Sequence, residues 1–232
     1  MPSAVTAAAA AVGVLVTEEQ ARRLGEHAQR VIEANDQLNL TSIVDPNEVL
    51  WLQIVDSIAY LPLVGDLAPP VVDIGSGSGF PGIPLAICSG LVVTLCESTG
   101  KKARFLEEAV HQLVPTAVVY GGRAETLAEL EPAHFGTAIA RAVASTAALV
   151  ELAAPLLRPG GRLLALKGEP DDGELELADA TAVVCGMARV GLSRYALPER
   201  ADRRCVVCYE RVGEPLIALP RRPGMAQRRP AN

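Results

Sequence analysis

Behind Thr17-Glu18-Glu19-Gln20, the apolar residues Ala21, Leu24, Ala28, Val31, Ile32 and Leu38 recur at helical spacing. Thr and Gln three apart form a capping box, so the pattern predicts an amphipathic helix that starts there. Asp45-Pro46-Asn47-Glu48 is a second start signal, with Asp at the N-cap, Pro at the first helical position and Glu three residues on. That helix is expected to run to about Leu61. Asn39 to Ser42 between the two is too polar and too short for an element of its own.

From Pro70 the texture changes to β-rich runs at 71–74, 91–97, 116–120, 136–141, 161–167, 188–195 and 204–212. Helical stretches separate most of them, starting near 81, 100, 124, 145 and 172, which is the grammar of repeated βαβ units. The last two runs are joined by the polar "LPERADRR" and not by a helix. The predicted architecture is therefore α/β, a seven-stranded, mostly parallel sheet with an antiparallel hairpin at its end. It divides into an N-terminal helical extension (1–66), a core (67–214) and a C-terminal arm (215–232) whose Pro/Arg-rich "LPRRPGMAQRRPAN" reads as irregular.

Composition adds limits. With 232 residues, half of them hydrophobic and 21% charged, the chain can bury a sizeable core. No apolar run approaches the roughly 20 residues of a bilayer span, and "MPSAVTAAAAAVGVLV" lacks the basic start of a signal peptide. The expectation is a cytoplasmic monomer. Five scattered cysteines argue against a disulfide framework, and Cys205-Val-Val-Cys208 lies in a β-run where positions three apart face opposite sides, so neither metal nor redox work is expected of it. His27, His111 and His134 have no nucleophile partner and read as packing or surface residues.

The net charge of −6 is unevenly spread. Residues 1–70 carry three arginines against nine carboxylates, whereas 215–232 carry Arg221, Arg222, Arg228 and Arg229 and no acid. Such polarity lets an acidic protein offer a basic arm to a polyanion. The competing readings are a solvated tail or a clamp of the arm on its own domain.

The densest chemistry lies in "VVDIGSGSGFPGIPLAI", Val71 to Ile87. Gly75-Ser-Gly77-Ser-Gly79 fits the turn of S-adenosylmethionine-dependent methyltransferases, while Gly77-Ser-Gly79-Phe80-Pro-Gly82 spells a G-x-G-x-x-G dinucleotide fingerprint. Asp73 bears on the choice. An acid at the end of the first strand would repel a pyrophosphate but could hold the charged amino-acid end of S-adenosylmethionine, directly or through water; alternatively it caps the turn. Glu97, twenty-two residues after Gly75, suits ribose hydroxyls and serves either cofactor.

These blocks, with "NLTSIVDPNEV", "VDSIAYLPL", "ESTGKKARFLEEA", "GRAE", "ARAVAS", "LALKG" and "PRRPGMAQRRP" in that order, resemble the bacterial small-subunit ribosomal RNA guanine-N7 methyltransferases, the glucose-inhibited division protein B family. The resemblance runs from about residue 35 to the end. It implies a Rossmann-like class I methyltransferase core using S-adenosyl-L-methionine, and methylation of N7 of one guanine in the decoding-region loop of 16S rRNA. The implied partner is the small ribosomal subunit or an assembly intermediate. The family's cofactor positions map to Gly75, Phe80, Ala124, Glu125, Glu97 and Arg141. Gln53 and Cys205 stand where the family usually or often has histidine.

Guanine N7 presents an in-plane lone pair, so no general base is expected, and none is assigned. Consistent with this, "AIARAVAS" follows the fourth β-run where enzymes acting on exocyclic amines commonly carry an Asp/Asn-Pro-Pro-aromatic motif. Arg141 in that stretch could donate to guanine O6, hold a phosphate or pair with a carboxylate; a cofactor-side or structural role is favoured. Arg123, Lys167, Arg204 and the four arm arginines are candidates for RNA phosphates, the arm being expected to lie outside the nucleoside pocket. Two other functions compete: a nicotinamide-dependent oxidoreductase, which lacks a Tyr-x-x-x-Lys proton donor here, and a non-catalytic RNA-binding assembly factor.

Overall fold

The alanine-rich start forms α1 (Pro2–Ala11), which buries Val5, Ala8 and Ala9. The capping box opens α2 (Glu18–Leu38): Thr17 Oγ1 accepts from the Gln20 N–H at 3.2 Å and Gln20 Oε1 accepts from the Thr17 N–H at 2.9 Å. Its buried stripe is Ala21, Leu24, Gly25, His27, Ala28 and Val31. The computed structural model describes residues 2–198 and 203–232.

Asp45 caps α3 (Pro46–Glu48), accepting from the N–H groups of Asn47 and Glu48. The single helix expected from there to Leu61 does not form. Val49–Val55 is π-helical, the Asp56 N–H reaches back five residues to the Trp51 carbonyl, and α4 (Leu61–Val64) follows after a turn. Local spacing could not foresee this, because Val49, Trp51, Ile54 and Val55 are all buried and tertiary packing sets the register.

The core alternates β1 (Val71–Ile74), α5 (Gly82–Ser89), β2 (Val93–Cys96), α6 (Gly100–Leu113), β3 (Val118–Tyr120), α7 (Ala124–Leu130) and β4 (Phe135–Arg141). It continues with α8 (Thr146–Ala153), β5 (Leu157–Gly168), α9 (Asp172–Val184), β6 (Met187–Ala196) and β7 (Arg203–Arg211). Among the described residues, seven strands form one sheet in the order β3-β2-β1-β4-β5-β7-β6. The first five are parallel and β7 runs antiparallel to both β5 and β6. Residues 199–202 of the polar connection lie outside the described residues.

Strand β1 shows how the layers divide. Val72 and Ile74 pack with α7, α8 and α9, while Val71 faces the layer of α2, α5 and α6. Cys205 and Cys208 likewise fall on opposite faces of β7, and all five cysteines are free thiols. Because the connections leave β1 and β4 in opposite directions, the sheet has a switch point between them, where a crevice opens at the carboxyl ends of the strands. The arm is largely irregular apart from α10 (Met225–Arg228), and it folds back on α8.

Candidate nucleoside and substrate site

The loop after β1 is held by backbone. The N–H groups of Gly75 and Ser76 both donate to the Cys96 carbonyl, at 2.8 and 3.1 Å. Gly75 has φ +72°, and a Cβ there would fall 2.6 Å from Val143 Cγ2, so only glycine permits both the turn and the close approach of the loop after β4. Glu97, 6% exposed, accepts from the Gly77 N–H at 2.9 Å and the Thr99 N–H at 2.6 Å. Its carboxylate is thereby fixed against the glycine turn, each oxygen keeping further acceptor capacity.

Asp73 is fully buried. One oxygen accepts the Gly82 N–H at 3.1 Å, which makes it the cap of the turn, and Oδ1 has no hydrogen-bond partner. Burial pushes its pKa up to about 7. A Cβ at Gly82 would lie 2.5 Å from Asp73 Oδ2 and 2.3 Å from Leu95, so the last glycine of the apparent dinucleotide fingerprint is explained by close packing inside the protein. Two buried acids bracketing the loop suit a cationic, phosphate-free nucleoside and oppose a pyrophosphate. The glycine cradle, the fixed Glu97 and the unfilled acceptor on Asp73 fit S-adenosylmethionine.

Arg141 ends β4 and turns toward the N-terminal extension. Its Nη1 donates to the Leu52 carbonyl at 3.0 Å and to Asp56 Oδ2 at 3.2 Å, its Nη2 donates to Gln53 Oε1 at 2.7 Å, and its guanidinium carbon lies 5.9 Å from the Phe80 ring centre. Asp56 also accepts from the Tyr195 hydroxyl at 3.1 Å and pairs with Arg204 at 3.4 Å. Leu52, Gln53, Asp56, Arg141, Tyr195 and Arg204 line a cavity of about 370 Å³ together with Lys167. Gln53, in the family's histidine position, is thus a ligand of Arg141, and its Nε2 donates to Thr41 at 2.9 Å.

A second, narrower recess of about 60 Å³ is lined by Gly75, Ser98, Ala124, Glu125, Val143 and Gln227, among others. Nucleoside pockets are larger, about 300 Å³ or more, so the recess as it stands encloses only part of the space such a ligand fills. The loop after β4 is the partition between the two spaces: Ala142 lines the large cavity and the next residue, Val143, lines the recess. Gln227 belongs to the arm, so the arm reaches this recess.

The basic candidates separate into two groups. Lys167 is bound to Glu174, Arg204 to Asp56, and Arg221 grips buried Glu151 through Nε at 2.6 Å and Nη2, so these three already have carboxylate partners. Arg123, Arg222, Arg228 and Arg229 are exposed. Sequence reasoning missed Asp56, Tyr195, Val143 and Gln227, whose roles arise from long-range contacts. His27 packs as expected of a core residue, but against the loop itself: its ring centre is 4.6 Å from that of Phe80. A position three residues from Leu24 and four from Val31 was the available signal.

Comparison with known proteins agrees with this geometry. The family model described as rRNA small subunit methyltransferase G matches residues 20–201. A "Ribosomal RNA small subunit methyltransferase G" from Pelotomaculum thermopropionicum is 38% identical over 225 residues, covering 94% of both chains. One from Stenotrophomonas maltophilia is 50% identical over 136 residues, covering 58% of this chain and 62% of that one. Among solved structures, an O-methyltransferase from Bacillus cereus in complex with SAH has a TM-score of 0.53 at 18% identity, covering 80% of this chain and 90% of its own. A SAM-dependent methyltransferase from Methanosarcina mazei has a TM-score of 0.52 at 16% identity, covering 66% and 99%. The sheet is thus that of the class I S-adenosylmethionine-dependent methyltransferases, and the chain that carries it belongs to the rRNA small subunit methyltransferase G family.

Proposed function

We propose that the protein transfers a methyl group from S-adenosyl-L-methionine to N7 of one guanine in the decoding-region loop of 16S rRNA, acting in the cytoplasm on the small ribosomal subunit or an assembly intermediate. The observation that carries this reading is the partition after β4, which sets the nucleoside recess and the larger cavity side by side, with Arg141 lining the larger one. The bound cofactor supplies an electrophilic methyl group on a sulfonium. Gly75, Gly77, Gly79 and Phe80 form the cradle, Glu97 accepts the ribose hydroxyls, Asp73 offers its free oxygen to the ammonium end, and Ala124 with Glu125 border the adenine.

On the other side, the cavity receives a guanine turned out of its stack, as enzymes that modify bases require. Arg141 is anchored at three points and keeps the partition in place, while the apolar walls Leu52 and Leu166 exclude water. N7 needs alignment and no proton removal, and orientation alone can supply about 7–11 kcal/mol of a barrier. No side chain is assigned as a base. RNA phosphates are offered Arg123, Arg222, Arg228 and Arg229, with Lys167 and Arg204 at the cavity wall.

The test is transfer of labelled methyl from S-adenosylmethionine to purified small subunits and to 16S rRNA, with the product mapped by mass spectrometry. One N7-methylguanosine is expected. A protein that binds subunits without transferring label would be an assembly factor, and a thermal shift with a nicotinamide dinucleotide but none with the methyl donor would restore the oxidoreductase reading.

A further inference from the structure

We propose that the C-terminal arm is part of the cofactor site and that Gln227 is a cofactor-binding residue that reads the adenine. The inference rests on the nucleoside reading of the recess behind Gly75. The arm is tied down on both sides of Gln227. Before it, the Gly224 N–H donates to Glu125 Oε1 at 2.8 Å, and Arg221 clamps Glu151. After it, the Ala231 N–H donates to Glu151 Oε2 at 2.8 Å, and the Arg229 carbonyl accepts from Arg221 at 2.7 Å. Glu125 and Glu151 are 4% and 3% exposed, so these contacts are built into the interior and not laid on the surface. Ala226, beside Gln227, is 2% exposed and packs in the same apolar cluster as α8.

The consequence is that Gln227, itself exposed, lines the rim of the recess together with Ala124 and Glu125. With ribose on Glu97, the base must extend outward past Ser98 toward this rim. Adenine presents an amino donor beside ring acceptors, and a primary amide answers both, as glutamine does when it pairs with adenine in nucleic acids. Glu125 can only accept, and one of its oxygens is already taken by Gly224. Of the longer polar side chains lining the recess, Glu125 only accepts and Arg123 only donates, whereas the Gln227 amide presents a donor and an acceptor side by side, and the arm holds it there.

Calorimetry of the full chain with S-adenosylhomocysteine tests this, with S-inosylhomocysteine, which lacks the 6-amino group, as the second probe. Gln227→Ala should weaken S-adenosylhomocysteine about three- to tenfold, the size expected for one or two neutral hydrogen bonds. It should also narrow the preference over the inosine analogue and leave the melting temperature of the free protein in place. Gln227→Glu, an acceptor only, should not restore affinity. Glu97→Ala serves as the control for the recess. If Glu97→Ala weakens binding and Gln227→Ala does not, the arm proposal is overturned and the recess reading stands. If neither variant changes affinity, both are overturned. A loss of melting temperature at Gln227→Ala with unchanged affinity and preference makes the arm a structural clamp and also overturns it.

Discussion

A carboxylate with one oxygen on a backbone N–H and the other unpartnered, fully buried beneath a glycine turn, has to answer for its charge. Burial moves Asp73 up to about 7, so between about pH 4 and pH 7 the folded protein holds a proton that the unfolded chain has released. Stability from this group is therefore full below about pH 4 and falls as pH rises to about 7. His27 runs the other way: burial lowers its pKa to about 3, the unfolded chain takes up a proton below about 6.5, and stability falls on acidification through that range. On the proposed placement of the cofactor's ammonium beside Asp73, that charge favours the ionised carboxylate, and binding below neutrality expels a proton. The affinity for S-adenosylmethionine should rise severalfold from pH 6 to pH 7, below the titration of the ligand's own α-amino group at about 7.7–8.0, and Asp73→Asn should both weaken it and flatten the dependence. Calorimetry in buffers of different ionisation enthalpy reads the proton directly, and a pH-independent affinity in the parent protein would remove Asp73 from the cofactor's neighbourhood. Glu97→Ala should weaken the same ligand through the ribose, charged hydrogen bonds of this kind contributing about 1.5–3 kcal/mol.

At the scale of elements, the π-helical stretch does work that a regular helix in the same place would not. Its wide turn directs the Leu52 carbonyl, Gln53 and Asp56 together at Arg141, joining the extension to the end of β4. Asp56→Ala strips the carboxylate from Arg141, Arg204 and Tyr195 at once. Removing one partner of a buried ion pair costs about 3–5 kcal/mol, and a loss near the lower end is expected because Arg141 keeps the Leu52 carbonyl and Gln53 as partners and its side chain is 14% exposed. Methyl transfer to RNA should fall with it, whereas Asp56→Asn keeps acceptor capacity and should lose less of both. Denaturant melts alongside transfer rates check this, and an Asp56→Ala protein of unchanged stability would show the anchor to be idle. The same segment marks the limit of what the sequence conveys. The capping box, the Asp45 cap and the seven β-runs are local signals, and the elements stand close to where those signals place them. The break at Val49 is decided by burial on several sides at once, and the contacts Arg141–Asp56, Tyr195–Asp56 and Gly224–Glu125, the last holding the arm that carries Gln227, span 85, 139 and 99 residues of chain, distances at which neither periodicity nor a motif carries information. The glycine loop and Glu97 were legible because their chemistry is local: a turn that needs φ > 0, and an acid at a strand end.

Across the whole molecule the question is how a chain of net charge −6 approaches an RNA. Most of its acids before residue 70 belong to the helical extension, where Glu19 and Glu26 are already paired with Arg22, Arg23 and Arg30 on the surface of α2. The arm carries the opposite sign, and its arginines divide by function. Arg221 is committed to Glu151, so Arg221→Ala should lower the melting temperature and, by loosening the arm, weaken cofactor binding. Arg222, Arg228 and Arg229 are exposed and free to meet phosphates. Replacing those three with alanine should weaken binding to the small subunit or its RNA while leaving both the melting temperature and the affinity for S-adenosylhomocysteine in place. The dependence of log affinity on log salt should flatten by about 0.7 for each lost single-strand contact and about 0.9 for each duplex contact, because every neutralised phosphate releases condensed counterions. The residues that line the recess are kept in that variant, so a shallower slope with unchanged affinity for S-adenosylhomocysteine isolates the electrostatic footprint of the arm from its proposed part in the pocket. An unchanged slope would mean that the arginines only solvate the chain's end, and the phosphate contacts would then have to be sought around Arg123 at the mouth of the recess.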